Sequence, residues 1–367
     1  MPVTRSALGR VGFLGELYDM RTENFSSRSV FKNKISPELV KTVAVDNVVV
    51  EYKFTENISD RFDLLNVESD LQLFFLCGLL EIEGCGKFLN TEKNSSKNIT
   101  CSFMCKFQTV CEKLFTSFVE VLHLLDFDAL DDCQYTHVIT EINWGANCLM
   151  NLELSSSAKD NKKEAEGKLM LEMKKLAKLI KFEGEGEAEV KDNSFWKNSQ
   201  IKIQISADVT PKNEMPTSVE NFYHFLSNVP NLLKTVNDGK GKPLSYAMIP
   251  VQTIRKLANL HTTVENVVRE IDESFIISVV CLFEEISSYR LKLEELNKKI
   301  TENEKYIQMK YIMESKEKLE ELKIKESQLK RIISENSLLV KTGENNLKDL
   351  IKSVEKFKSH NLNFYLI

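Results

Sequence analysis

No stretch of the 367-residue sequence approaches twenty consecutive apolar residues, so none reads as a transmembrane helix. The amino terminus, MPVTRSALGR, lacks the apolar core of a signal peptide. These absences predict a chain made as a soluble protein, cytoplasmic or released by a non-standard route, that reaches a membrane only by changing shape. Basic patches interleaved with aromatics are also missing, and the net charge is −5, which argues against a nucleic-acid partner. Eight cysteines are present but no CxxC, and Cys101, Cys105 and Cys111 fall on strand-like sequence; reduced, mostly buried thiols are expected. Four Asn-x-Ser/Thr sequons, at Asn24, Asn57, Asn94 and Asn98, read as chance matches without a signal sequence.

Catalytic constellations are lacking too. His123, His137, His224, His261 and His360 are scattered, with no ligand at i+4 and no neighbouring CxxC, and read as satisfied or surface side chains. GEGE has no third glycine, and its acids would repel a pyrophosphate; DGKGKP lacks the spacing of a phosphate loop and reads as a turn. No cofactor, no metal and no enzymatic activity are expected.

What is there is alternation. VAVDNVVVEYKF sets Val48, Val50, Tyr52 and Phe54 against Val49, Glu51 and Lys53, and ITCSFMCKFQTV puts Cys101, Phe103, Cys105 and Phe107 on one side. THVITEINWGANCLMNLEL alternates from Val138 to Leu154 against Glu141, Asn143, Asn147, Asn151 and Glu153, about three times the usual strand length. QIKIQISADV follows the same pattern. Long strands with one polar face predict a large, bent antiparallel sheet.

Two insertions separate these strands in pairs, and each satisfies two periods. In the first, Leu71, Phe74, Phe75, Gly78, Leu79 and Ile82 make a helical stripe, while Leu65, Val67, Leu71 and Leu73 also alternate with polar residues. In the second, Leu169, Met173, Leu176 and Ile180 are spaced for a helix; from Phe182 the period becomes two, apolar or small residues alternating with Glu183, Glu185, Glu187 and Glu189. A sequence that fits two periods is a candidate for two states. A helix followed by an ordinary edge strand writes the same letters. After the fourth strand, SVENFYHFLSNVPNLLKTV reads as an amphipathic helix and YAMIPV as a short strand. From Phe275, apolar residues recur in heptads through Ile300, resume from Ile312 to Val340, and a third helix begins at NNLKDLIKSVEKF. Either a bundle folding on itself or an intermolecular coiled coil fits.

Several stretches in this order carry a resemblance: ALGRVGFLGELYDMRTENF, KFLN, THVITEINWGAN, EGEGE, and PLSYAMIPV with the helices after it. They resemble the stonustoxin family of fish-venom cytolysins and their non-venom relatives, within the perforin (MACPF) and cholesterol-dependent cytolysin (CDC) superfamily. The resemblance covers nearly the whole chain. It implies an α+β fold with a bent four-stranded antiparallel sheet and two helical clusters, at about residues 60–97 and 155–194, inside a domain of residues 1–265. An all-α bundle similar to a focal-adhesion-targeting module follows over 266–367.

The implied function is a perforin-like protein that oligomerises and inserts refolded β-hairpins into a lipid membrane. Leu71, Leu73, Phe75, Ile82 and Phe88 of the first cluster, and Ile180, Phe182, Ala188 and Val190 of the second, would meet lipid. Glu183, Glu185, Glu187 and Glu189 would face an aqueous lumen. Trp144, Gly145, Ala146 and Asn147 match the start of the perforin sheet signature; the small hydroxyl residue and histidine that usually follow are missing. Gly184 and Gly186 make the second lipid face weakly apolar. Closing a barrel requires self-association; the chain stops within or just after the helical region, before the thioredoxin-like and PRY/SPRY domains of the toxins, which implies a related second subunit as partner. The alternative is a non-lytic intracellular scaffold with the same fold, binding a protein partner through its helices.

Overall fold

The computed structural model describes residues 3–114, 118, 120–132, 134–155, 162–181, 195–196, 200–211, 214–260 and 268–361. They form two compact units. The first comprises Met1–Val67, Ile82–Thr91 and Lys97–Asn266; the second comprises Glu68–Glu81, Glu92–Ser96 and Val267–Ile367.

In chain order the elements are β1 (Val3–Ser6), β2 (Glu16–Asp19), β3 (Asn24–Ser29), β4 (Val40–Phe54), α1 (Ile58–Leu64), α2 (Ser69–Leu76), β5 (Ile99–Leu114), α3 (Phe127–Asp131), β6 (His137–Leu154), α4 (Lys162–Lys181), β7 (Ile201–Ala207), α5 (Val219–Leu233), β8 (Lys242–Pro250), α6 (Val251–Leu257), α7 (Glu273–Glu302), α8 (Met309–Thr342) and α9 (Leu347–Asn361). The four expected long strands lie side by side as β4-β5-β6-β7, all antiparallel. The sheet is nonetheless eight-stranded rather than four-stranded. The 18-residue β6 is its spine. Along one edge β5 pairs with Glu141–Leu154 and β2 with His137 and Val138; along the other, β7 takes Cys148–Leu154 and β8 takes His137–Gly145. Strands β1–β3, of four to six residues, are too short to carry a period-two signal.

Register shifts cross this sheet as a band. They fall between Ala44 and Asn47 on β4, between Gln108 and Cys111 on β5, and between Asn143 and Trp144 where β6 meets β8. An extra residue on one strand bends it and increases its twist, so aligned bulges bend the sheet as a whole.

Both faces of the β4–β7 region are covered. On one, Cys101, Phe103, Cys105 and Phe107 of β5 and Ala146, Cys148, Met150, Leu152 and Leu154 of β6 form a core with α4 and α5. Helix α4 contributes Leu169, Met173, Leu176 and Ala177, the stripe read from the sequence. Helix α5 is capped by Ser218, whose side chain accepts the Asn221 N–H. Alternation predicts a wet opposite face, and the structure buries part of it instead, leaving Lys106, Gln108, Glu141, Asn143 and Asn147 half-buried. Thr100, Ser102, Asn151 and Glu153 are buried there. Helix α1 lies over this side, with Asp63 3.2 Å from Lys53, whose strand partner is Ser102. Three of the four side chains are paired: Thr55 and Ser102 hydroxyls meet at 2.7 Å, Ser102 donates to Asn151 at 2.9 Å, and Asn98 donates to Glu153 at 2.9 Å, while the Thr100 hydroxyl is buried without a partner among the described residues. A second core, below the bend, gathers Leu17, Val30, Phe31, Leu125, Leu130, Val138 and Ile254.

In the second unit, α7 packs against α8 and against α2, and α8 packs against α9. Phe275, Val279, Leu282, Ile286 and Leu293 of the α7 seam are buried; Leu296 is exposed and Ile300 half-buried. Ile276, Val280 and Phe283 are buried as well, so α7 is apolar on more than a seam. That breadth fits a helix with neighbours on two sides, and the chain folds on itself here.

Candidate functional site

The four signature residues sit at the bend, and each has a distinct task. Gly145 is required by space: a Cβ there would lie 1.8 Å from the Phe107 carbonyl oxygen. Trp144 donates its indole N–H to Glu112 at 2.8 Å; the same carboxylate holds Lys240 at 2.8 Å, whose ammonium lies 5.8 Å from the Trp144 ring centroid. The turn carrying Lys240 is tied to β5 by the Thr109 hydroxyl, which donates to the Lys240 carbonyl at 2.6 Å. Ala146 is buried in the core. Asn147 donates its N–H to Asp208 at 2.8 Å and accepts the Asp208 N–H at 2.9 Å.

Asp208 also accepts the Cys85 N–H at 2.8 Å and so fastens the end of the first insertion to the spine strand. Burial pushes its carboxyl up from the ordinary range, against the N–H groups of Cys85 and Asn147 that pull it down. The KFLN stretch lies in a 3-10 segment, Gly84–Asn90, which packs on β6 and β7 and buries Cys85, Phe88 and Leu89. Arg61 of α1 donates to the Leu89 carbonyl at 3.2 Å and to that of Thr91.

The continuous helical stripe expected from Leu71 to Ile82 is interrupted. Helix α2 ends at Leu76: Gly78 turns left-handed (φ 73°), its N–H meets the Phe75 carbonyl at 2.9 Å, and the Leu79 N–H meets the Phe74 carbonyl at 2.9 Å. This is the paired closure by which a glycine stops a helix, and it leaves Leu79 exposed. Leu71 and Leu73 are therefore buried in the second unit, with Phe75 half-buried there, while Ile82, half-buried, and Phe88, buried, belong to the first. The five residues are thus divided between the two units.

Within the second unit the first insertion is gripped twice. Lys341 of α8, 1% exposed, pairs with Asp70 of α2 at 3.0 Å, its ammonium 4.9 Å from the Phe74 ring centroid. Ser69 donates to Glu273 at 3.2 Å. Further along, Glu295 of α7 accepts the Ser95 hydroxyl at 2.7 Å and the Ser96 N–H at 2.7 Å, and these donors hold its carboxyl below the usual range. Spacing gives no sign of Asp208, Glu112, Lys240, Lys341 or Glu295, because each partner is remote in sequence.

In the second insertion, Ile180 lies half-buried against the core that holds Leu169, Met173 and Leu176. Phe182, Ala188 and Val190, with Glu183, Glu185, Glu187 and Glu189, lie outside the described residues. The amino-terminal ALGR stretch leads into a buried polar knot: Arg5 donates two hydrogen bonds to Glu23 at 3.0 and 3.1 Å, and the Tyr18 hydroxyl donates to the same carboxylate at 2.6 Å. Beside it, burial and the Arg5 charge lower the His137 pKa to about 4. Cys77, Cys85, Cys101, Cys105, Cys111, Cys148 and Cys281 are free thiols. Burial pushes Cys77 and Cys101 up to about 12, which leaves them inert. Among the described residues no cluster of three or more His, Cys, Asp or Glu could hold a metal ion, and no helix is long and apolar enough to cross a membrane.

A bent antiparallel sheet with helices docked between its long strands is the architecture of a MACPF/CDC-like domain, and sequence comparison agrees. The model of the SNTX MACPF/CDC-like domain matches residues 2–280, and the chain belongs to that family. Curated relatives include cytolytic toxin-beta of Scorpaena plumieri, 24% identical over 62% of this chain and 32% of the toxin. Stonustoxin subunit alpha of Synanceia horrida is 24% identical over 71% and 38%; neoverrucotoxin subunit alpha of Synanceia verrucosa is 22% identical over 81% and 45%. The chain thus spans less than half the length of these relatives. Among solved structures, stonustoxin superposes with a TM-score of 0.63 at 16% identity, over 99% of this chain and 46% of that one, a likeness of fold.

Proposed function

We propose that this chain is a perforin-like pore-forming protein, which oligomerises and inserts its two insertions into a membrane as refolded amphipathic β-hairpins. One observation carries the reading. Inside a MACPF/CDC-like domain, both segments between long strands bury apolar residues as helices, Leu71 and Leu73 in α2 and Leu169, Met173 and Leu176 in α4. The sequences around both helices also run at period two. Extended, the first would turn Leu71, Leu73, Phe75, Ile82 and Phe88 towards lipid. The second would turn Ile180, Phe182, Ala188 and Val190 to lipid, with Glu183, Glu185, Glu187 and Glu189 lining the lumen.

Unpaired strand edges cannot remain in hydrocarbon, so the hairpins must close a barrel with neighbouring copies. The outer edge of β4, exposed from Lys41 to Val48, offers the place for strand-to-strand association, with a second copy or with a related subunit. Relatives named as alpha and beta subunits support the latter. The reading divides the chain into a pore-forming domain of residues 1–265 and a helical module of 266–367, similar to a focal-adhesion-targeting bundle. It assigns no enzymatic chemistry.

Dye release from liposomes tests the mechanism. A disulfide between facing positions of α4 and β5 is expected to abolish leakage and reduction to restore it, in a background with exposed Cys281 replaced by Ser. Equal leakage from locked and unlocked protein overturns it. The weakly apolar positions Gly184 and Gly186 favour a second reading, a non-lytic scaffold of the same fold. Capture of a soluble partner with no lysis at any concentration is the outcome that selects it.

A further inference from the structure

The turn joining α7 to α8 is unlike the rest of the helical unit. Tyr306 is 89% exposed, Met309 62%, Tyr311 53% and Met313 56%, large apolar side chains gathered within a short span of sequence. Scattered exposed apolar residues need no explanation, but four within eight residues of one turn do. Met309 and Met313 are one helical turn apart, and Ile312 between them is buried, so the inward side of this first turn is already satisfied. Met309, Tyr311 and Met313 are each more than half exposed.

Its surroundings are slightly basic in a chain that is acidic overall, four lysines against three glutamates over residues 298–314. Lys298, Lys299, Lys305 and Lys310 stand against Glu302, Glu304 and Glu314, whereas the whole chain has a net charge of −5. All four lysines are exposed. The ion pair at this tip, Lys310 with Glu314 at 3.8 Å, is solvent-exposed and too weak to neutralise the cation.

We propose that this tip is an interfacial anchor for anionic phospholipid, with Tyr306, Met309, Tyr311 and Met313 entering the headgroup boundary and the lysines engaging phosphate and carboxylate groups. Tyrosine suits that boundary because its ring is apolar and its hydroxyl stays hydrated. Lysine stems bury beside it while their ammonium groups remain in water. Neighbouring lysines contribute about fivefold each to partition on an anionic surface, and the apolar side chains add area burial. The charge pattern favours this occupant over a second copy of the chain, whose acidic surplus is distributed and whose binding would not need lipid. The anchor is distinct from the refolding insertions and does not depend on them.

Flotation of the full chain with vesicles tests it, comparing phosphatidylserine–phosphatidylcholine mixtures with phosphatidylcholine alone. Binding is expected only to the anionic vesicles. It should weaken by on the order of tenfold or more in Lys305→Glu/Lys310→Glu, and similarly in Tyr306→Ser/Met309→Ser/Met313→Ser. Circular dichroism of these exposed-site variants checks that the helices persist. In Tyr306→Trp, the emission difference from the parent should shift to the blue on anionic vesicles and be quenched by lipid brominated near the headgroup. Binding unaffected by either set of substitutions, no binding to any vesicle, or a blue shift that appears with protein concentration in the absence of lipid would each overturn the proposal, the last in favour of a second copy. Dye release in the same samples separates the two claims: leakage while the introduced indole stays in water removes the anchor alone, and anchored protein without leakage removes the pore alone.

Discussion

Gly145 shows how little freedom the bend allows. With a Cβ 1.8 Å from the Phe107 carbonyl oxygen, Gly145→Ala must push β5 and β6 apart, and a loss of about 4 kcal/mol or failure to fold is expected in urea unfolding. Gly78 is a control of another kind. Nothing lies within 4 Å of its Cβ position, so Gly78→Ala meets only the left-handed backbone and should cost about 1–2 kcal/mol. His137 gives a pH dependence. Its pKa falls to about 4 in the folded chain from an ordinary 6.5, so the fold holds the neutral ring. Between those values the unfolded chain binds a proton that the folded chain refuses, and stability falls as pH falls through this window. Its contribution is roughly 3 kcal/mol at most. Denaturant midpoints measured from about pH 7 to pH 4.5 should therefore decline less in His137→Gln than in the parent.

At the scale of elements, helix α2 is the informative case. The sequence overstates its length because Leu79 and Ile82 continue the 3.6 period beyond a glycine that terminates the helix. The pattern of apolar residues carries no information on the sign of φ at Gly78. Its partner is equally hidden, since Asp70 meets Lys341 near the far end of the chain. Removing the cation alone takes from Asp70 the buried end of its ion pair. Lys341→Met should destabilise the helical unit by about 2 kcal/mol and accelerate amide exchange over Ser69–Leu76. Asp70→Asn/Lys341→Met should recover most of that loss, since an ion pair replaced at both ends is close to neutral. No recovery in the double variant would mean that Lys341 acts through packing over Phe74 rather than through its charge.

For the whole molecule, the pore reading makes association along the long exposed edge of β4 the decisive variable. If the pore reading holds, the initial rate of vesicle leakage should rise more steeply than the first power of protein concentration, and negative-stain images of the vesicles should show rings. First-order leakage without rings would argue for a lesion made by single chains, which an open hairpin edge in hydrocarbon makes costly.

The sequence by itself determined the long strands, the helical stripe of α4, the three long helices and the family, because each is written as a period or an ordered set of short motifs. Periods report local geometry: a strand alternates and a helix repeats every 3.6 residues whatever packs against it. Tertiary structure alone decided that Ser102, Asn151 and Glu153, on the polar face of β5 and β6, are buried and hydrogen-bonded. It also decided that the first insertion is divided between two compact units, and that Asp208, Glu112 and Lys341 are the residues holding bend and insertions in place. Those outcomes depend on which distant side chains meet, and no local periodicity encodes that encounter.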